Sequence, residues 1–261
     1  MNATASRASH PQRGTRALAW AVLAGAVLQV VAPVITINGP GSSPGNGSGP
    51  ELLITPVGWA FSIWGVIYAL AFAQAVAVLV RGADAVPRRL QVDQLVLYLG
   101  GALWIVLAGL DSSLATAAAL LLMLVAAVDG LLTAARASLS PRWFRVLTRG
   151  AIGLYAGWVT AAFFLNASTA LVDSGVVEAD ALPWQLGMLV AATVTLLALT
   201  FRARGIPTYA AAGTWALIGI AVTGVSDGTT EVTAVAVAAA VVLVAAAFAS
   251  RSTGQPTASR G

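Results

Sequence analysis

The stretch VGWAFSIWGVIYALAFAQAVAVLV, residues 57–80, holds no charged side chain and is closed by Arg81. At 1.5 Å rise per residue, a helix of this length crosses the roughly 30 Å hydrocarbon core of a bilayer. The stretch lacks the period-2 alternation of an outer-membrane barrel strand, which argues for a helix. Comparable apolar blocks recur at about 16–38, 93–110, 113–135, 150–172, 183–201, 207–225 and 231–250. These blocks predict an all-α fold, a polytopic membrane helical bundle of about eight transmembrane helices.

Composition supports the same reading. The chain is 58% hydrophobic and 9% charged, whereas an ordinary soluble domain carries about 25% charged residues. So few charges cannot clothe a water-facing surface. The absence of cysteine excludes disulfides, thiolate metal sites and thiol catalysis. His10, the single histidine, lies in the polar amino-terminal segment.

All 14 basic residues are arginines, and their positions set the topology. Arg7, Arg13 and Arg16 precede the first span, and Arg81, Arg88 and Arg89 separate the second from the third. Arg136, Arg142, Arg145 and Arg149 separate the fourth from the fifth, Arg202 and Arg204 the sixth from the seventh, and Arg251 and Arg260 follow the last. Cytoplasmic flanks retain such residues, so every arginine falls on one side. A seven-span or nine-span count breaks this pattern. The opposite connectors carry acids alone: Glu51, Asp111, Asp173, Glu178, Asp180, Asp227 and Glu231.

The expected setting is a bacterial-type inner (cell) membrane, with the tails 1–15 and 251–261 in the cytoplasm and the lipid bilayer as the main partner. The net charge of +4 is then topogenic and does not signal nucleic acid. The first apolar stretch, about 20 residues, exceeds the 7–15 of a signal-peptide core and is read as a retained helix. Residues 39–55, GPGSSPGNGSGPELLIT, have too little apolar surface to order themselves; this loop is expected to be mobile and to serve as a lid, and both tails are expected to be disordered.

Two segments carry candidate chemistry. Trp59, Phe61, Trp64 and Tyr68 crowd the start of the second span, and the spacing i, i+3, i+7 puts Phe61, Trp64 and Tyr68 on one helical face. In the fifth span Trp158, Ala162 and Asn166 recur every four residues, near Tyr155. The aromatics are either a membrane-interface belt with packing or a ligand wall. A buried Asn166 amide needs a partner, either a neighbouring helix or a ligand. Asp129 lies inside the fourth span with Arg136 two turns on; it is either a carboxylate near the interface or part of a proton path. Asp111, Ser112 and Ser113 are expected to cap a helix. Trp20, Trp143, Trp184 and Trp215 fall near span ends and are expected to anchor at the headgroups.

The sequence TPVGWAFSIWGVIY (55–68), followed by YAGWVTAAFFLN (155–166), resembles the tryptophan-rich sensory protein family, also called the translocator protein family. Pro56, Trp59, Phe61, Trp64 and Tyr68 match the family's second-helix pattern; Tyr155, Trp158, Ala162, Leu165 and Asn166 match its fifth. Trp104 corresponds to a third-helix tryptophan, with Gly101 near the place where an asparagine is usual. The resemblance covers residues 16–172 and implies a five-helix core there, with residues 173–250 as three additional transmembrane helices. It departs from the family where the Gly/Ser/Pro loop replaces a tryptophan- and lysine-containing segment.

The resemblance implies a pocket for porphyrins, a heme-type ligand, or other flat hydrophobic molecules such as sterols, with no covalently bound cofactor and no metal. The residues it points to are Trp59, Phe61, Trp64, Tyr68, Trp104, Tyr155, Trp158 and Asn166. A homodimer is compatible with the family. No paired carboxylates at catalytic spacing and no phosphate-binding glycine motif occur, which argues against an enzyme and assigns no catalytic residue. The leading expectation is a receptor or carrier for a tetrapyrrole-like molecule. The alternatives are a proton-coupled solute transporter using Asp129, and a structural assembly partner in the membrane.

Overall fold

The computed structural model describes residues 10–37, 51–203 and 206–252. The described residues form eight long helices and no strand: α1 (His10–Ile37), α2 (Ile63–Arg81), α3 (Arg88–Ala108), α4 (Ser113–Arg136), α5 (Arg142–Asp173), α6 (Leu182–Arg202), α7 (Pro207–Ser226) and α8 (Thr230–Ser252). Each is long and apolar enough to cross a membrane. Two 3₁₀ turns, Gly58–Ser62 and Ala83–Ala85, flank α2. The loop to which mobility and a lid role were ascribed lies outside the described residues up to Pro50, as do the chain ends 1–9 and 253–261.

α3 and α5 begin earlier than their apolar blocks. Both start directly after a proline, Pro87 and Pro141, and take in turns that the sequence reading gave to connectors. Arg149 gives the extension of α5 a use. Its Nε donates to the Ala134 carbonyl (3.0 Å) and its Nη2 to those of Ala135 (3.0 Å) and Ala137 (3.3 Å), covering carbonyls that the end of α4 leaves without intrahelical donors. Arg81, at the end of α2, lies over the rings of Trp143 and Phe144 at 5.9 and 5.7 Å.

The turn between α3 and α4 corrects an expectation. Ser112 stands at the N-cap of α4, yet its own side chain makes no capping hydrogen bond. Asp111 instead adopts a left-handed backbone, φ 53°, which short polar residues tolerate better than most.

Helices α1, α2, α5, α4 and α3 close a ring in that order: α1 packs on α2 and α3, α5 on α2 and α4, and α3 on α4. α7 lies outside the ring along α5, α8 packs on α7 and α6, and α6 also touches α5. The α5–α7 contact is close because Gly153 and Gly157 present no side chain to it. A Cβ at Gly153 would overlap the Thr208 hydroxyl, and one at Gly157 the Tyr209 carbonyl oxygen. Across the same contact the Thr160 and Tyr209 hydroxyls meet at 3.0 Å.

Candidate functional site

The lead-in to α2 shapes one wall of the site. Thr55 N–H donates to the Leu52 carbonyl (3.0 Å) and Val57 N–H to the carbonyl of Gly219 on α7 (3.2 Å). The chain then winds through the 3₁₀ turn Gly58–Ser62, and the indole N–H of Trp215 donates to the Ala60 carbonyl at 2.8 Å. Trp215 lies halfway along α7, so its expected headgroup role gives way to this tie between helices. Two residues apart on this turn, Trp59 and Phe61 point to different sides. Trp59 is 44% exposed and meets Trp215 edge-on at 5.0 Å. Phe61 turns inward and meets Trp158 edge-on at 5.7 Å.

Trp64 is the hub of the interior cluster. It stacks on Tyr68 (5.3 Å) and Trp104 (5.9 Å) and meets Tyr155 (5.7 Å) and Trp158 (6.2 Å) edge-on. Such pairs contribute about 0.5–1.5 kcal/mol each beyond the buried area, so four around one ring make a rigid wall. The Trp104 indole N–H donates to Asn166 Oδ1 (3.2 Å), while Asn166 Nδ2 donates to the Ala162 carbonyl (3.0 Å). The amide therefore binds α3 to α5, and it lines the cavity as well.

That cavity encloses about 50 Å³. Phe61, Trp64, Trp104, Trp158 and Asn166 form one side; Ile54 and Pro56 lie at the lead-in; α6 and α7 form the other side through Met188, Leu189, Ala192, Leu196, Gly213, Ala216, Leu217 and Ile220. The lining is almost wholly apolar. Trp158 is 2% exposed, and its indole N–H has no protein partner. Of the eight ligand residues named from sequence, Phe61, Trp64, Trp104, Trp158 and Asn166 line the space. Tyr68 and Tyr155 stand behind Trp64, and Trp59 faces Trp215.

Sequence reasoning missed the α6 and α7 wall, whose Ala, Gly and Leu residues carry no distinguishing chemistry. It also missed Gln29, whose Oε1 accepts from the Tyr155 hydroxyl at 2.8 Å; an amide inside the first apolar block was the available signal. Gly101, noted for replacing an asparagine, makes room for that hydroxyl, since a Cβ there would lie 2.8 Å from it.

Asp129 stands apart, at the arginine-bearing end of α4, where its carboxylate is ion-paired with Arg89 of α3. Asp93, one turn on from Arg89, lies against Gly130 of α4. The Arg89 side chain is 70% exposed and that of Asp129 31%, and ion pairs so open to solvent contribute little. Asp129→Asn is expected to leave both thermal stability and ligand affinity near wild type, as read by thermal unfolding and ligand titration of the purified protein.

A bundle of membrane-spanning helices that gathers tryptophans from three of them around one apolar cavity defines a membrane protein of the small-molecule-binding class. The chain belongs to the TSPO-like protein family: the family's profile matches residues 16–249, from the first helix into the last. The match thus takes in α6, α7 and α8 together with the stretch whose motifs carry the resemblance. No curated protein and no solved structure matches the chain.

Proposed function

We propose that this protein is a membrane receptor or carrier that binds a flat, hydrophobic, tetrapyrrole-like molecule bearing a hydrogen-bond acceptor, and that it performs no chemistry on it. The observation that carries this reading is the convergence of Trp64, Trp104 and Trp158 on one apolar cavity beside the unpaired Trp158 indole N–H. Aromatic faces suit a flat π-system. A buried donor without a partner costs about 1–3 kcal/mol, which a ligand carbonyl or carboxylate recovers.

Size adds a condition. Sites for drug-sized ligands enclose about 300–1,000 Å³, well above the 50 Å³ present here. A macrocycle therefore enters by moving a wall, and α6 is the least buried of the eight spans. A slim molecule such as a sterol needs less displacement.

The test is tryptophan quenching of purified protein titrated with a porphyrin, which is expected to saturate. Trp158→Phe keeps a ring and removes the N–H; the affinity is expected to fall about tenfold, the worth of one hydrogen bond near 1.4 kcal/mol. Its thermal stability should hold or rise, because an orphaned donor has been removed. Unsaturable quenching by the wild type would end the proposal. The transporter alternative rests on Asp129, whose pairing with Arg89 away from the cavity favours a tie between α3 and α4.

A further inference from the structure

The interior of the five-helix ring changes character along its axis. Toward the arginine-poor end it is filled by the rings around Trp64. Toward the arginine-bearing end it is lined by amides, Gln74 from α2 and Gln91 and Gln94 from α3, and Gln29 from α1 stands above them at the level of Tyr155; all four are at most 1% exposed. Gln91, Gln94 and Tyr98 recur at i, i+3 and i+7 and so share a face. Gln91 Nε2 donates to the Ala83 carbonyl in the α2–α3 connector (2.7 Å). Gln94 Nε2 reaches across the ring to Gln74 Oε1 (2.8 Å) and lies 3.4 Å from the Tyr98 hydroxyl. The Tyr98 ring stacks on that of Tyr155 at 5.9 Å, and the Tyr155 hydroxyl meets Gln29.

Each of these four amides is left half satisfied. Gln29 Nε2 and Gln74 Nε2 are donors without a protein partner, and Gln91 Oε1 and Gln94 Oε1 are acceptors without one. The Thr148 hydroxyl, fully buried on α5, is also unpaired; it lies two turns from Tyr155 on the same face. Polar groups left unpaired at membrane depth cost several kcal/mol each, so a set of this size requires an occupant. None of these five groups is charged, and among the amides donors and acceptors are evenly mixed; the unpaired Asp93 Oδ2 belongs to the α3–α4 contact, where Asp93 lies against Gly130. An ion would satisfy one kind and repel the other. Water, which donates and accepts equally, satisfies both.

We propose that this half of the ring is a hydrated canal, holding a file of water molecules from the Ala83 connector to the hydroxyls of Tyr98 and Tyr155. The pocket is then dry on its lipid side and wetted from beneath. This inference stands independently of which ligand the pocket takes.

Radiolytic hydroxyl-radical footprinting of the unaltered chain, reconstituted in phosphatidylcholine vesicles, tests it, because radicals form wherever water resides. Tyr98, Tyr155 and Tyr209 are 2%, 1% and 0% exposed, and Tyr209 lies at the α5–α7 contact, outside the ring. Tyr98 and Tyr155 are expected to be oxidised severalfold faster than Tyr209; equal rates overturn the canal. The chain lacks cysteine, so a second measurement is clean: Gln94→Cys should react with a small water-borne thiol reagent while Leu97→Cys, equally buried, stays inert. Equal inertness of the two, in proteins whose thermal unfolding matches the parent, also overturns it.

Discussion

Trp64→Ala is expected to abolish saturable porphyrin quenching while the protein still inserts as a helical bundle. The substitution removes the ring that four other rings contact and opens a space where Trp104 and Trp158 lose the surface that orients them. Removing a large buried aromatic costs about 3–5 kcal/mol, and the ligand loses its central stacking face as well. Trp20→Ala is the matched control. Trp20 is 57% exposed on α1 and touches nothing in the cluster, so its removal should dim the emission without changing the midpoint of the titration. The two measurements to pair are the quenching isotherm and the thermal transition. A Trp64→Ala protein that binds with the parent's affinity contradicts the assigned pocket.

Gly157→Val should separate α7 from α5. Even the first carbon of a side chain there overlaps the Tyr209 carbonyl and comes within 2.9 Å of Ala212 Cβ, and backbone cannot swing aside as a flexible side chain does. Overpacking costs about 1–3 kcal/mol when the surroundings can adjust, and more when they cannot, so a marked fall in the thermal transition is expected. Ligand affinity should fall with it, because α7 carries Gly213, Ala216 and Leu217 of the cavity wall. Gly187→Val on α6 meets nothing within 4 Å and should behave as the parent. An unchanged transition for Gly157→Val would mean that the α5–α7 contact is not the close one described.

The features legible in the sequence share one cause: they depend on local periodicity or on distinctive side chains. The helical spans follow from runs of apolar residues long enough for a bilayer. Trp64, Trp104, Trp158 and Asn166 were legible because tryptophan and asparagine are conspicuous against an Ala/Val/Leu background. The α6 and α7 wall was not, since Ala192 and Ala216 look like any other helix-facing alanine until the neighbour is known. Trp59 was named for the ligand side by the family resemblance and not by the face that Phe61, Trp64 and Tyr68 share, and its ring packs instead on Trp215 of α7. Trp215 was assigned to the interface although it sits mid-helix, and only the position of Ala60, a distant residue in sequence, shows what its indole holds. Asp129 was seen without Arg89, because pairing between helices leaves no periodic trace.

The ties from Val57 to Gly219 and from Ala60 to Trp215 also bear on the order in which the molecule can be made. Synthesis delivers the amino-terminal helices to the membrane first, so α2 is inserted well before α7 exists. Until the ribosome has passed residue 219, Val57 N–H lacks its acceptor, the Ala60 carbonyl lacks the Trp215 indole, and the cavity lacks a side. Binding competence is therefore acquired late in biogenesis, when nearly the whole chain has been translated.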